Sequence, residues 1–296
     1  QPDVRVFEVF DEKGKSIALF YCDYFARDSK QGGAWDDSFV DQATLVGTSS
    51  VIINVTNFVK PPAGQPALLT FDDVTTMFHE FGHALHGLLS NVNYPLFTSG
   101  NTPRDFVEFP SQFNENWALD PVVFANYAKH YKTGAPMPAD LAAKIKKSRT
   151  FNQGYLTTEY MAASMLDMQW HEVGGSVSPD GVDAFEQAAL KRSHVDIPEV
   201  PPRYKSTYFS HIWQGGYQAG YYAYLWSEVL ADDAYQWFKE HGGLKRENGQ
   251  HYSDWILARG ANDDPMKLYL GFRGHEPGIQ ALLDRRGLGK AGAKHH

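Results

Sequence analysis

The sequence predicts a mainly α-helical protein of the α+β class, with a small β-sheet near the N-terminus. Three runs, at residues 4–10, 17–25 and 51–58, are rich in β-branched and aromatic side chains and are bounded by turn signals. After residue 70, apolar residues recur mostly at helical spacing between breaks that contain Gly or Pro. We therefore expect a small β-rich segment at residues 1–70 and a helical region at residues 71–290, which together form one domain.

The first two β-prone runs are separated by the turn signal Asp11-Glu-Lys-Gly-Lys and predict a hairpin. Residues 26–48 are polar and contain glycine, so we expect a loop there. The run at residues 51–58 predicts a third strand, and the prolines that follow it break the chain before the first long helix. That helix should begin at Thr70, because Thr70 and Asp73 form a capping-box pattern.

The remaining helices are predicted from apolar periodicity and from the positions of Gly and Pro. Further predicted helices span residues 111–118, 121–131, 138–149, 155–172, 181–194, 217–241, 252–259, 264–271 and 277–285.

Composition excludes several classes of protein. The 296 residues are 43% apolar, which is enough for a sizeable core, and the net charge of −8 argues against nucleic acid as a partner. Cys22 is the single cysteine, so the chain has no intramolecular disulfide and no cysteine-rich metal site. No apolar run in the sequence is as long as a membrane span. We interpret His295 and His296 as part of a purification-tag remnant and exclude them from the site.

The motif His-Glu-x-x-His occurs at residues 79–83. On an α-helix, His79 and His83 lie one turn apart on the same face and can offer two imidazoles to one metal ion. Glu80 lies beside the first ligand, where its carboxylate can accept a proton from water, as in zinc peptidases with this motif. His86 lies on a similar face, and we expect it to support the ligands or to pack.

A catalytic zinc site needs a third protein ligand. A third histidine six residues after His83 is excluded, because Leu89 occupies that position. A glutamate from a second helix is the other option, and Glu108 fits. Thr102 and Pro103 predict the start of that helix, and Pro110 should kink it beside the ligand.

Two other carboxylates belong to the same predicted helix. Asp105 lies three residues before Glu108 on the same face and can orient a ligand histidine. Glu115 lies two turns after Glu108 and either supports the ligands or belongs to a solvated face.

Four segments of the sequence form a recognisable set. They are HEFGHALH at residues 79–86, DFVEFPSQ at 105–112, a Gly- and Tyr-rich run at 209–228 and FRGHEP at 272–277. Together they resemble the thimet oligopeptidase family of zinc metallopeptidases. Within the family, they are most similar to the bacterial peptidyl-dipeptidases. The resemblance implies a zincin-type helical catalytic domain, one Zn²⁺ per chain and a small sheet that lines the cleft. It also implies a longer protein, so we expect a C-terminal catalytic fragment.

The run at residues 209–228 supplies further candidates. In the resembled family, the matching His and Tyr residues line the cleft opposite the metal, and some of them stabilise the transition state. The resemblance therefore implies catalytic roles for His211, Tyr217 and Tyr224, and substrate binding by Tyr217, Tyr221 and His211. A Tyr-rich helix that packs into the core is the alternative.

The expected function is hydrolysis of short peptides with release of C-terminal dipeptides. An oligopeptide endopeptidase of the same family is one alternative, and an inactive zinc-binding fragment that needs its missing N-terminal half is another. Recognition of a terminal carboxylate needs a cationic or Tyr donor, and Arg203, Lys205 and Arg273 are the cationic candidates. We expect a cytoplasmic protein, with the periplasm open, and neither a membrane nor a nucleic acid as partner.

Overall fold

The computed structural model describes residues 1–289, which form two compact units. Unit 1 comprises Gln1–Lys146 and Ser227–Ala281, and unit 2 comprises Lys147–Trp226 together with residues 282–289. The chain is mainly helical with one small sheet near its N-terminus, which confirms the predicted fold class. The division into residues 1–70 and 71–290 stays a prediction, and the tag interpretation falls outside the described residues. Among residues 1–289, no helix is both long and apolar enough to cross a membrane.

Four strands form the sheet in unit 1: β1 (Arg5–Phe10), β2 (Ser16–Phe25), β3 (Trp35–Val40) and β4 (Ser50–Phe58). Their order is β1-β2-β4-β3, with β2 and β4 parallel and the other two pairs antiparallel. The predicted hairpin of β1 and β2 and the predicted strand at residues 51–58 are confirmed.

The prediction of a loop over residues 26–48 is wrong where β3 forms. The sequence of β3, WDDSFV, is polar and short, so it lacks the alternation of a half-buried strand. It forms as an edge strand because β4, an apolar strand buried along most of its length, offers it a backbone ladder. The register pairs Asp36 with Asn54, which places both side chains on the same face of the sheet.

Twelve α-helices lie within the described residues. They are α1 (Phe71–Leu88), α2 (Arg104–Val107), α3 (Phe109–Glu115), α4 (Pro121–Tyr127), α5 (Ala139–Ser148), α6 (Gln153–His171), α7 (Val182–Arg192), α8 (Ser210–Trp213), α9 (Ala223–Glu240), α10 (Arg246–Tyr252), α11 (Pro265–Arg273) and α12 (Gln280–Arg285). The capping box at the start of α1 is present, since Thr70 Oγ1 accepts from Asp73 N and the Asp73 carboxylate accepts from Thr70 N.

Three details of the predicted helices are wrong. The helix predicted from residue 217 begins at Ala223, because the preceding glycines and the left-handed Ala219 favour turns. The helix predicted over Glu108 is two helices, α2 and α3, that meet at that residue. Thr102 does not cap α2, because its hydroxyl donates to Ser99 O and Pro103 takes the cap position.

Two helices, α8 and α10, were not predicted from the sequence. Helix α8 is only four residues long, and α10 is polar and contains a glycine, so neither shows apolar periodicity.

Helix α1 packs between the sheet and α3, and Gly82 lies at its contact with α3. A Cβ atom added at Gly82 would lie 2.5 Å from Pro110 O and 2.6 Å from Ser111 Cα. Only a residue without a side chain allows the two helix backbones to come this close. The far side of α3 is anchored by a buried aromatic cluster whose members include Phe109, Phe113 and Tyr269.

Unit 2 has its own buried clusters. One of them is aromatic and joins α6 to the segment that precedes α9, through Tyr160, Phe209, Ile212 and Tyr221. Another packs α6 against α7.

We expect Gly82→Ala to lower the free energy of unfolding by roughly 1–3 kcal/mol, because the new methyl group would overlap backbone atoms that cannot rotate away. Gly249→Ala in α10 is the matched control, since a Cβ there meets nothing within 4 Å. That control should leave stability unchanged or raise it by about 0.4–1 kcal/mol. Urea denaturation of both variants checks this, and equal stability of the two would contradict the packing argument.

Candidate metal centre

Helix α1 presents His79 and His83 on one face. The residues are four positions apart, and their ring centroids lie 5.0 Å apart. The helix holds this pair firmly, because its N-terminus is capped and its middle is packed between the sheet and α3. Both imidazoles are largely withdrawn from solvent.

Glu108 completes a group of three donors. Its Oε2 lies 3.2 Å from Nε2 of His79 and 3.1 Å from Nε2 of His83. The break between α2 and α3 falls at Glu108 and turns this carboxylate toward α1. Two ligands in a tetrahedral zinc site lie about 3.3 Å apart, given metal–ligand distances of about 2.0–2.1 Å. The spacing and the two-nitrogen, one-oxygen donor set therefore fit a catalytic zinc.

The charges in this group compensate one another. Burial by itself raises the pKa of Glu108, but the two histidines outweigh it and hold that pKa well below its ordinary value. Burial likewise lowers the pKa of His79, yet hydrogen bonds to Glu108 and Glu115 raise it well above its ordinary value. The group is thus built around opposite charges, and a bound metal cation would balance the Glu108 carboxylate in place of protons on the imidazoles.

Neighbouring side chains fix the orientation of the donors. Glu115 Oε1 lies 2.8 Å from Nδ1 of His79, on the side of the ring away from Glu108. The Ser111 hydroxyl donates to Glu108 Oε2 at 3.0 Å, and the Asn114 amide donates to Phe78 O at 2.6 Å. Because α3 provides all three of these contacts, the helix that orients the Glu108 carboxylate also supports the histidine helix.

Asp105 and His86 occupy different surroundings from those of Glu115. The backbone carbonyl of Asp105 accepts from the Ser227 hydroxyl at 3.1 Å, and orientation of a histidine by its carboxylate stays a prediction. His86 is buried, and burial lowers its pKa to about 3, so it is neutral. Its Nε2 has no hydrogen-bond partner among the described residues, as in a packed side chain.

Glu80 is buried beside the three donors. Its Oε2 has no hydrogen-bond partner within residues 1–289, and its backbone carbonyl accepts from the Asn54 amide at 2.8 Å. Burial raises its pKa to about 7, although His79 and His83 act to lower it. A cavity of about 240 Å³ is lined by His79, Glu80 and Glu115, and its other lining residues come from α1. Glu80 therefore has a carboxylate oxygen with no hydrogen-bond donor from residues 1–289, at the edge of a space that can admit solvent.

Asp36 is a residue of this site that sequence reasoning missed. Its carboxylate, Glu80 and His83 have donor atoms that all lie within 4.8 Å of one another. Burial raises the pKa of Asp36, and the carboxylate of Glu108 acts in the same direction. One residue in the sequence could have indicated this polar face. Asn54 is a polar residue at an inward position of the apolar strand β4, which shows that this face of the sheet meets polar groups.

A second group of candidates lies together in unit 2. The rings of Tyr217 and Tyr224 stack with centroids 5.0 Å apart, and His211 lies 6.2 Å from the first and 6.3 Å from the second. Tyr221 is buried, with its ring centroid 5.3 Å from His211. The four predicted residues are therefore neighbours in one group of rings, and their roles in catalysis and substrate binding stay predictions.

The three cationic candidates differ in their pairing. Arg273 makes a two-nitrogen contact with the carboxylate of Asp233 and a further ion pair with Glu240. Lys205 forms an ion pair with Glu186 at 3.0 Å. Arg203 lies over the ring of Tyr204 at 5.9 Å. Arg273 is thus occupied as a structural cation, which weakens its assignment to a substrate carboxylate.

Comparison with known proteins places the whole described chain in one family. The model of peptidase family M3 matches residues 1–288. Proteins named dipeptidyl carboxypeptidase from Salmonella typhimurium and Escherichia coli are 58% and 55% identical over 287 residues, which cover 97% of this chain and 42% of each relative. Escherichia coli oligopeptidase A is 39% identical over 297 residues, covering 97% of this chain and 43% of that protein. The chain thus spans less than half the length of these relatives.

We expect Glu108→Gln to abolish stoichiometric metal binding, because an amide oxygen carries no charge to balance the cation. Glu115→Gln is the matched control, since it makes the same change at the residue that only orients His79, and it should weaken binding by about 10–100-fold. Competition between the protein and a chelator for Zn²⁺ measures both. A Glu108→Gln variant that kept the parent affinity would show that another carboxylate is the ligand.

Proposed function

The chain belongs to peptidase family M3, and on that premise we propose that it is the catalytic part of a zinc-dependent peptidase that releases dipeptides from the C-termini of short peptides. One Zn²⁺ per chain would be held by His79, His83 and Glu108. The observation that carries this proposal is the convergence of their three donor atoms, since the two imidazole nitrogens lie 3.2 Å and 3.1 Å from the same Glu108 oxygen. The cytoplasm is the proposed compartment.

A zinc ion bound there would supply Lewis acidity, which would lower the pKa of a water molecule and polarise the scissile carbonyl. Glu80 is proposed to accept the proton of the attacking water and to deliver it to the leaving amine. Its unpartnered buried oxygen and its pKa of about 7 support this role, because such a carboxyl exchanges protons at neutral pH. Glu115 holds the His79 ring from its other nitrogen, and we propose the same supporting function for Asp105.

We assign stabilisation of the oxyanion to His211, Tyr217 and Tyr224, as the resemblance implies. Phenol and imidazole groups donate the hydrogen bonds that a developing oxyanion needs. Support comes from their common surroundings, since the three rings lie within 6.3 Å of one another. Tyr221 is proposed to bind substrate with them, alongside Tyr217 and His211.

Release of dipeptides is favoured over internal cleavage by similarity. The two relatives named dipeptidyl carboxypeptidase are 55–58% identical to this chain, whereas oligopeptidase A is 39% identical. The endopeptidase alternative uses the same metal ligands and differs in how the substrate terminus is held. A third possibility is that the chain binds zinc but needs the remaining part of the longer relatives to position its substrate.

Replacing Glu80 by Gln should lower kcat by roughly 10²–10⁴-fold while one zinc per chain is retained, because the amide cannot accept the proton but the metal donors are untouched. Metal analysis and peptide hydrolysis on the same preparation check this. Loss of zinc from the variant would instead make Glu80 a metal ligand.

Cleavage of a tetrapeptide with a free C-terminal carboxylate should yield a C-terminal dipeptide, and a chelator should abolish it. The same peptide with a C-terminal amide should be cleaved at least roughly tenfold more slowly, because an exopeptidase loses its charge-assisted anchor. Mass spectrometry of the products measures both. Equal rates on the two peptides would favour the endopeptidase, and bound zinc without cleavage would favour the incomplete fragment.

A further inference from the structure

The turn that carries Tyr217 and Tyr221 has an unfavourable backbone. Ala219 lies between them with a φ of +52°, in the left-handed region that residues with a side chain rarely adopt. Gly215 and Gly216 precede the turn and give it freedom on that side. A turn of this kind keeps one conformation only where its surroundings impose it.

Helix α6 imposes the left-handed conformation of this turn through Asp167. This side chain is completely buried, and its two oxygens accept from two backbone amides of the turn. Oδ1 accepts from Ala219 N at 3.0 Å, and Oδ2 accepts from Tyr221 N at 2.9 Å. His171, one helical turn further along, brings its Nδ1 to 2.9 Å from Oδ1. A buried carboxylate is costly without such partners, so its energy depends on this one conformation of the turn.

Tyr160 also binds this turn. It lies on the same face of α6 as Asp167, seven residues earlier in the chain. Its hydroxyl donates to the carbonyl oxygen of Tyr221 and accepts from Leu225 N at 3.2 Å. Its ring also lies against that of Tyr221, with centroids 5.2 Å apart. Positions separated by seven residues share a helix face, so one face of α6 holds the backbone of the turn from Ala219 to Leu225.

We propose that Asp167 and Tyr160 are positioning residues for this turn: together they lock its left-handed conformation and thereby fix the rings of Tyr217 and Tyr221. The inference rests on the proposed function in one respect, since the locked tyrosines matter to hydrolysis only if they contact the substrate. The lock itself is a property of unit 2 and is tested without any reaction.

Amide hydrogen exchange of the full chain, read by mass spectrometry, tests the lock in an Asp167→Asn variant. The amide group keeps the size of the side chain but turns one acceptor into a donor that faces a backbone N–H. Exchange in peptides covering residues 217–225 should accelerate by roughly tenfold or more. Asp233→Asn is the control, because it disturbs a buried carboxylate that binds Arg273 and Tyr269, and it should leave residues 217–225 unchanged.

Tyr160→Phe is a second, milder variant that decides the question if Asp167→Asn does not fold. It removes both hydroxyl hydrogen bonds and should accelerate exchange at residues 221–225. A folded variant with unchanged exchange there would overturn the lock, and so would an equal acceleration throughout unit 2. The link to catalysis predicts that kcat/KM falls roughly tenfold in Asp167→Asn while the zinc content changes little.

The two proposals can fail separately. An inactive or zinc-free parent chain would overturn the proposed function and leave the exchange result to decide the lock. Faster exchange with an unchanged kcat/KM, in a chain that still depends on Glu80, would overturn the role of the turn in hydrolysis.

Discussion

The site depends on how closely α1 and α3 approach each other at Gly82. This contact brings the Glu108 carboxylate to the two histidines and the Glu115 carboxylate to the far side of His79. An error of one ångström in the distance between the helices would move the shared oxygen out of reach of both imidazoles. The aromatic cluster packs against α3 and holds this helix in position, so the geometry of a polar site is set by apolar packing.

Burial sets the chemistry of the same group of residues. Three carboxylates, those of Asp36, Glu80 and Glu108, lie near His83 in surroundings that disfavour charge. Glu108 is held ionised because both histidines contact it directly. Glu80 and Asp36 lack such contacts and have raised pKa values. Two states of the same chemical group are thereby kept side by side, one suited to holding a cation and one suited to exchanging a proton.

Local patterns predicted the parts of the structure that local forces decide. The two histidines of α1, its capping box and the β1–β2 hairpin follow from spacing and turn chemistry alone. The edge strand β3 could not be predicted, because its polar sequence becomes a strand only beside β4, and Asp36 was missed with it. Asp167 was missed for a similar reason. The two backbone amides that donate to its carboxylate lie more than 50 residues away in the chain, and nothing in the sequence of α6 predicts that contact.

The core behind α3 is assembled from two distant stretches of chain. Phe113 belongs to it, and so does Leu230, 117 positions later. During synthesis, the two histidines and Glu108 are therefore made well before the helices that pack against α3. The whole sequence of unit 2 up to Trp226 is made in the interval. The donor group of His79, His83 and Glu108 therefore reaches its final geometry only after these later helices have been made and the aromatic cluster has closed around α3.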